Sequence, residues 1–200
     1  DDLAPFVIGD AGYRALYAGR AETATPSAPG ARLLVREGPA GLRAALYYPD
    51  ALVRHLERHP PLSGLGDVNI DAFSAFVEEI DHLLTLACRA AERRPISLLE
   101  LEHHANVTKY LVVVHVLGRQ LRRRRIPEAL RLWARHHLFE KYAEGGEDGQ
   151  GQDRYRQAAR LARRYVLHLE RLTIEARRCE LQTLQRRPLA ETLRLAGMLN

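Results

Sequence analysis

Two stretches of this sequence place a carboxylate and an imidazole three residues apart, Glu79-Ile-Asp-His82 and Glu100-Leu-Glu-His103. On a helix that spacing puts both side chains on one face, where together they can ligate Fe, Mn or Zn. A third cluster, His136-His137-Leu138-Phe139-Glu140, offers His136 and Glu140 at i, i+4, a spacing that suits one zinc ion completed from elsewhere. A fourth grouping is acidic, Glu78, Glu79 and Asp81, with Lys109 and Tyr110 as its candidate counterparts further along the chain. The fifth is cationic. Arg119, Arg122, Arg123, Arg124 and Arg125 crowd into seven positions, a density that can neutralise phosphates without reading sequence. Nucleophilic chemistry finds no support. There is no Gly-x-Ser-x-Gly elbow, Gly64-Leu-Gly66 lacks the Lys of a phosphate loop, and neither Cys88 nor Cys179 has an activating context.

The elements that must position these groups read as helices. Pro49 suits the first turn of a helix over 49–59, and Asn69 or Asp71 can cap one over 70–92 with the stripe Phe73, Phe76, Val77, Ile80, Leu83, Leu84, Ala87 and Cys88. Pro95 breaks it. Ser97 with Glu100 forms a capping box for a helix over 97–124, apolar nearly all round from Leu111 to Leu117, which places that segment in the interior. His104 and His115 share a face of it. Pro127 starts a helix over 127–143, Gly145 to Asp153 is a loop, and Pro188 opens a last helix over 188–198. The helix over 153–182 carries a seam of Tyr155, Ala159, Ala162, Val166, Leu169, Thr173 and Ala176, alternating steps of four and three. A hairpin over 31–48 turns at Gly38-Pro-Ala-Gly41. Residues 1–30 read as an arm and a Pro/Ser/Thr-rich linker, and 31–200 as a single helical domain. The expected fold is mainly α, an antiparallel helical bundle of about five to six helices with a small N-terminal β-hairpin.

The two Glu-x-x-His motifs resemble those of the ferritin-like superfamily in motif only, which implies a carboxylate-bridged pair of metal ions. The motifs here sit on consecutive helices, whereas that superfamily interleaves them with helices donating a single Glu. If the rods over 70–92 and 97–124 fold back about the Arg94–Pro95 bond, Glu79 and Glu100 are offset by roughly 15 Å at 1.5 Å per residue, too far to share a cluster. The same arithmetic sets Lys109 and Tyr110 level with Glu78, Glu79 and Asp81, the basis of an expected charge network. The expected cofactor is therefore none, with Fe, Mn or Zn on Glu79, His82, Glu100 and His103 as the alternative.

Composition bounds the function classes. The 200 residues are 46% hydrophobic and 28% charged, the balance of a folded globular chain. The longest apolar run, Tyr110 to Leu117, is interrupted by His115 and falls far short of the roughly 20 residues that span a bilayer. Asp1-Asp2 is acidic where a secretory signal would start basic, so no such signal is expected here, and the lack of an initiator Met leaves open whether a segment lies upstream. Two cysteines, with Cys88 expected as a buried, reduced thiol, suit a cytoplasmic compartment. Residues 1–118 hold 11 basic and 15 acidic groups, net −4, while 119–200 hold 19 and 10, net +9. Such a polarised chain with no evident reaction centre reads first as a non-catalytic interaction module. It would be an assembly or regulatory subunit binding another protein or a second copy. The alternatives are a metal-binding carboxylate/histidine bundle and a sequence-independent nucleic-acid binder using the arginine-rich half.

Overall fold

The computed structural model describes residues 3–17, 30–39, 41–123, 125–141, 150–184 and 186–197. The expected linker before Gly30 and most of the expected 145–153 loop lie outside these, as do Arg124 and the end of the expected last helix. The chain is mainly helical, with eight α-helices and a small three-stranded sheet near the N-terminus among the described residues. It divides into two compact units, Asp1–Leu83 and Leu84–Asn200, and the division falls inside a helix, not at a linker. No helix of the described residues is long and apolar enough to cross a membrane.

In the first unit a 3-10 turn (Ala4–Phe6) leads into β1 (Val7–Ile8) and α1 (Asp10–Tyr17), followed by β2 (Arg32–Gly38), β3 (Gly41–Tyr47), α2 (Asp50–Arg58) and the start of α3 (Ile70–Ala91). The hairpin forms where its pattern placed it. β2 and β3 pair antiparallel from Arg32↔Tyr47 to Gly38↔Gly41, and Gly41 takes the positive φ of 104° that the tight turn needs. The expected arm is instead partly structured: β1 adds a third strand parallel to β3, with Val7 opposite Leu46 and Ile8 opposite Tyr47. Distant contacts hold it there. Tyr47 Oη donates to Asp10 at 2.8 Å, the Tyr13 ring lies 4.3 Å from that of Tyr47, and the Asp10 amide donates to Asp50 at 3.1 Å. Leu46, Tyr48 and Leu83 form the centre of the core, and full burial of Leu46 alone contributes roughly 1.5–3 kcal/mol. Tyr48 Oη reaches the Phe76 carbonyl at 2.8 Å, pinning β3 to α3. Asn69 does not cap α3 with its side chain. Its amide instead ties the preceding loop, accepting from Gly66 N and donating to His59 O and Gly64 O.

The second unit holds the rest of α3, then α4 (Leu98–Gln120) and α5 (Glu128–Arg135), which runs into one π-helical turn (His136–Glu140). α6 (Gln150–Arg171), α7 (Ile174–Leu184) and α8 (Leu189–Leu195) complete it. Ser97 caps α4 as expected, accepting the Glu100 amide at 3.1 Å. Thr85 bonds His104 at 3.2 Å and Arg89 pairs with Glu100, and both pairs straddle the Arg94–Pro95 bond symmetrically. The end of α3 therefore folds back on α4 about the expected centre. His103 faces Tyr165 and Tyr110 meets Glu170, so α4 and α6 run in the same sense; Arg135 meets Glu170 and Arg163 meets Glu140, so α5 and α6 run opposite.

Two expected faces are corrected. The far end of α3 exposes Leu84 and Cys88 and buries Thr85 and Arg89, so the apolar stripe does not continue and Cys88 is not a core thiol. In α4 burial reaches well beyond the apolar segment, where Val113, Val116 and Leu117 are buried, into the polar stretch before it. Glu102 through Val107 are all buried, along with Lys109 and Tyr110, whereas His115 is exposed although it shares a face with His104. The expected 153–182 helix is two helices, broken at Leu172-Thr173, where Thr173 Oγ1 accepts the Ala176 amide. The seam accordingly holds at Ala162, Val166 and Leu169, starts at Ala158 instead of Tyr155 and Ala159, gains Tyr165 beside Val166, and ends before Thr173, which is exposed.

Candidate anion-binding cleft

The cationic cluster begins at the end of α4. Arg122 N donates to Arg119 O at 3.1 Å and Arg123 N reaches back to Gly118 O at 2.9 Å, the paired bonds of a Schellman reversal. The position in that motif that favours glycine is Arg122, with φ 53°. A Cβ at Gly118 would lie 3.1 Å from the Arg123 carbonyl, a tight contact with backbone. The reversal throws Arg119, Arg122 and Arg123 outward while Ile126 turns in to 6% exposure, and Pro127 then opens α5.

Around this turn lies a cleft of two compartments that share Leu111, Val114 and Ile126 as a common aliphatic floor. The open compartment, about 510 Å³, is rimmed by Arg119, Arg122, Arg123 and His115. The more enclosed one, about 290 Å³, is completed by Val166 and Leu169 and edged by Arg125, Arg131 and Arg177, with Tyr110 and Glu170 on its wall. Of the five arginines expected to act together, three therefore line one compartment, Arg125 lines the other, and Arg124 lies outside the described residues.

A buried hub fixes the wall. Tyr110 donates its hydroxyl to Glu170 Oε1, and Arg135 donates to Glu170 Oε2 at 2.6 Å and to Glu128 Oε1 at 2.7 Å. Arg131 Nε meets the same Glu128 at 2.8 Å. Burial first, and then the bond to Glu170, hold the Tyr110 hydroxyl well above its ordinary range, so it stays a neutral donor. The bond from Arg135, with the charges of Arg131 and Arg135 and against the opposing effect of desolvation, holds the Glu128 carboxyl below its ordinary range. Arg177 is anchored differently, donating to the carbonyls of Leu169 (2.8 Å), Glu170 (3.3 Å) and Leu172 (3.3 Å) at the end of α6, where a cation also complements the helix dipole. Sequence spacing did not single out Arg131, Arg135, Glu170 or Arg177 for the site. Their one sequence signal is the Pro127-Glu128 helix start; the rest is contact between residues 35 to 60 positions apart.

The other candidate residues lie elsewhere. Glu79 and His82 are buried, with His82 Nδ1 3.5 Å from Glu79 Oε2, although a helical wheel turns both away from the Phe73/Phe76/Ile80 stripe toward solvent. Glu100 is committed to Arg89. His103 is 2% exposed, packs on Tyr165 at 5.6 Å, and keeps its Nε2 without a hydrogen-bond partner among the described residues. Burial, assisted by neighbouring His104, pushes its pKa down to about 4, so it is neutral at physiological pH. Asp81 and Lys109 are buried, Glu78 is half-buried, and Tyr110 belongs to the Glu170 hub. His136 and Glu140 lie on the π-helical turn, 3.7 Å apart, and Glu140 also pairs with Arg163 at 3.0 Å. The His137 ring lies 4.9 Å from that of Trp133, tilted by 51°. No family model matches this chain, and neither a curated protein nor a solved structure matches it.

Proposed function

We propose that this chain is a non-catalytic helical interaction module that holds an acidic segment of a partner protein in the cleft at the end of α4. The observation that carries the reading is the aliphatic floor of Leu111, Val114 and Ile126 beneath a rim of arginines. A carboxylate-bearing amphipathic segment satisfies both surfaces, apolar side chains on the floor and acidic ones at the guanidiniums. A nucleic-acid backbone satisfies only the rim. Single-strand binding also wants a series of exposed aromatic platforms, and the lining offers one exposed ring, His115, while Tyr110 is buried and bonded to Glu170. Long-range charge supports the same partner. Residues 84–200 carry 23 basic and 13 acidic groups, a net of +10 that would steer an acidic chain toward the cleft. The antiparallel α3–α4 and α5–α6 pairings, together with the parallel α4–α6 pairing, support reading the second unit as a helical bundle of mixed direction around the cleft. Two exposed free thiols fit a reducing, cytoplasmic setting.

The test is a titration at about 150 mM salt with three probes: a Glu/Leu amphipathic peptide, poly-Glu, and a duplex DNA of matched charge. The reading expects the Glu/Leu peptide to bind at least about tenfold more tightly than poly-Glu, and to lose that binding in the Arg119→Ala, Arg122→Ala, Arg123→Ala triple variant. Equal or tighter binding of the duplex, or no response to the triple substitution, overturns it.

A further inference from the structure

We infer that the enclosed compartment is itself a ligand site, taking a small organic anion with an apolar body, of which a medium-chain carboxylate is the simplest member. Its volume, about 290 Å³, sits at the small end of the range that holds compact ligands, on the order of 300–1,000 Å³. One side is aliphatic: Leu111, Val114, Ile126, Val166 and Leu169. The other side presents three guanidiniums, Arg125, Arg131 and Arg177, against a single carboxylate, Glu170. That carboxylate is already engaged on both oxygens, by Tyr110 and by Arg135. Arg131 is also offset by Glu128, and the lining still sets more guanidiniums than carboxylates beside an aliphatic floor; the chemistry that fits both is an oxyanion carried on a hydrocarbon.

The cationic side is pre-ordered, which lowers the entropic cost of binding. Arg177 is held through Nε and Nη2 by the α6 carbonyls, and Arg131 through Nε and Nη2 by Glu128. Neither set of bonds uses the Nη1 groups. A guanidinium edge suits a planar carboxylate or a phosphate equally, so the head is defined as an oxyanion and the probes separate its sources. Tyr110, whose hydroxyl is taken by Glu170, contributes its ring as wall and not as a further donor.

This inference goes beyond the partner reading, which rests on the rim of Arg119, Arg122 and Arg123, and the experiment separates the two. Calorimetric titration and thermal unfolding of the full chain are run with octanoate, octyl phosphate, inorganic phosphate, octanol and octyltrimethylammonium. Octanoate or octyl phosphate is expected to bind once per chain and to raise Tm. Octanol, octyltrimethylammonium and inorganic phosphate are expected to bind at least about tenfold more weakly. Val114→Trp, which fills the chamber, and Arg131→Gln, at a half-exposed position, should each weaken the better octyl anion by about tenfold or more in protein whose unfolding transition remains cooperative. The Arg119→Ala, Arg122→Ala, Arg123→Ala variant should leave it within about threefold, even while it abolishes peptide binding. Absence of binding by both octyl anions at millimolar concentration overturns the inference. So does equal binding of inorganic phosphate or of the alkylammonium, or binding unchanged in Arg131→Gln.

Discussion

Replacing Arg122 by glycine should make the protein more stable and a poorer binder at once. Arg122 occupies the left-handed position of the Schellman reversal with φ 53°, and Arg93 does the same at the end of α3 with φ 52°, where Arg94 N reaches back to Arg89 O at 2.9 Å. An L-residue with a side chain pays roughly 1–2 kcal/mol for that conformation. Glycine removes the strain but gains freedom in the unfolded chain, which offsets about 0.4–1 kcal/mol. Both arginines are exposed, so little packing is lost. The net expectation for Arg122→Gly and for Arg93→Gly is a gain of about 0.5–1 kcal/mol, read as a higher urea midpoint at unchanged m and a Tm increase of about 1–4 °C. Only Arg122 stands on the cleft rim. Binding of the acidic peptide should therefore fall about three- to tenfold in Arg122→Gly and stay unchanged in Arg93→Gly. Destabilisation by both substitutions would refute the strain argument, and equal loss of binding in both would refute the role given to the rim.

Three further outcomes follow from the same geometry. Gly118→Ala should destabilise by about 1 kcal/mol or more in chemical denaturation, although alanine ordinarily favours a helix by about that amount, because its Cβ meets the Arg123 carbonyl at 3.1 Å. Glu170→Gln should cost about 2–4 kcal/mol by weakening its bonds from Tyr110 and Arg135, while Tyr110→Phe, losing one hydroxyl, should cost about 1 kcal/mol. His103 has its pKa lowered from 6.5 to about 4 by burial, so the unfolded chain takes up its proton first as pH falls. Its contribution is intact above about pH 6.5 and is lost progressively between there and about pH 4, on the order of 3 kcal/mol in all. His103→Gln should flatten the Tm profile over that window and leave the profile above pH 7 unchanged in shape.

Much of the secondary structure was legible because its determinants are local. Ser97 caps α4 through a residue three positions away, Pro49, Pro127 and Pro188 each precede a helix, and Gly41 supplies the turn of the hairpin. The fold-back about Arg94–Pro95 was legible for the same reason, since a broken pair of rods has one simple register. The third strand was not. Val7-Ile8 is too short to carry a period, and it is held by its pairing with β3 and by the Tyr13, Asp10 and Asp50 contacts around it, all between residues distant in sequence. Leu84 and Cys88 misled the reading of α3 because an apolar stripe states which face can be buried, not which face meets polar partners such as Glu100 and His104. The break at Thr173 went unread because Leu169 and Ala176 keep the seam spacing across it.

The amino-acid order by itself determined where most helices start and stop, that charge is divided along the chain, and that arginines gather after Gly118. Those properties reside in neighbours a few bonds apart, so they survive without any knowledge of packing. Tertiary structure alone decided that Arg131 and Arg177 join that cluster, that Tyr110, Arg135 and Glu170 brace one wall, and that an aliphatic floor lies beneath. The floor and wall are assembled from α4, α5, α6 and α7, and which side chains converge there depends on helix registers that no local spacing encodes.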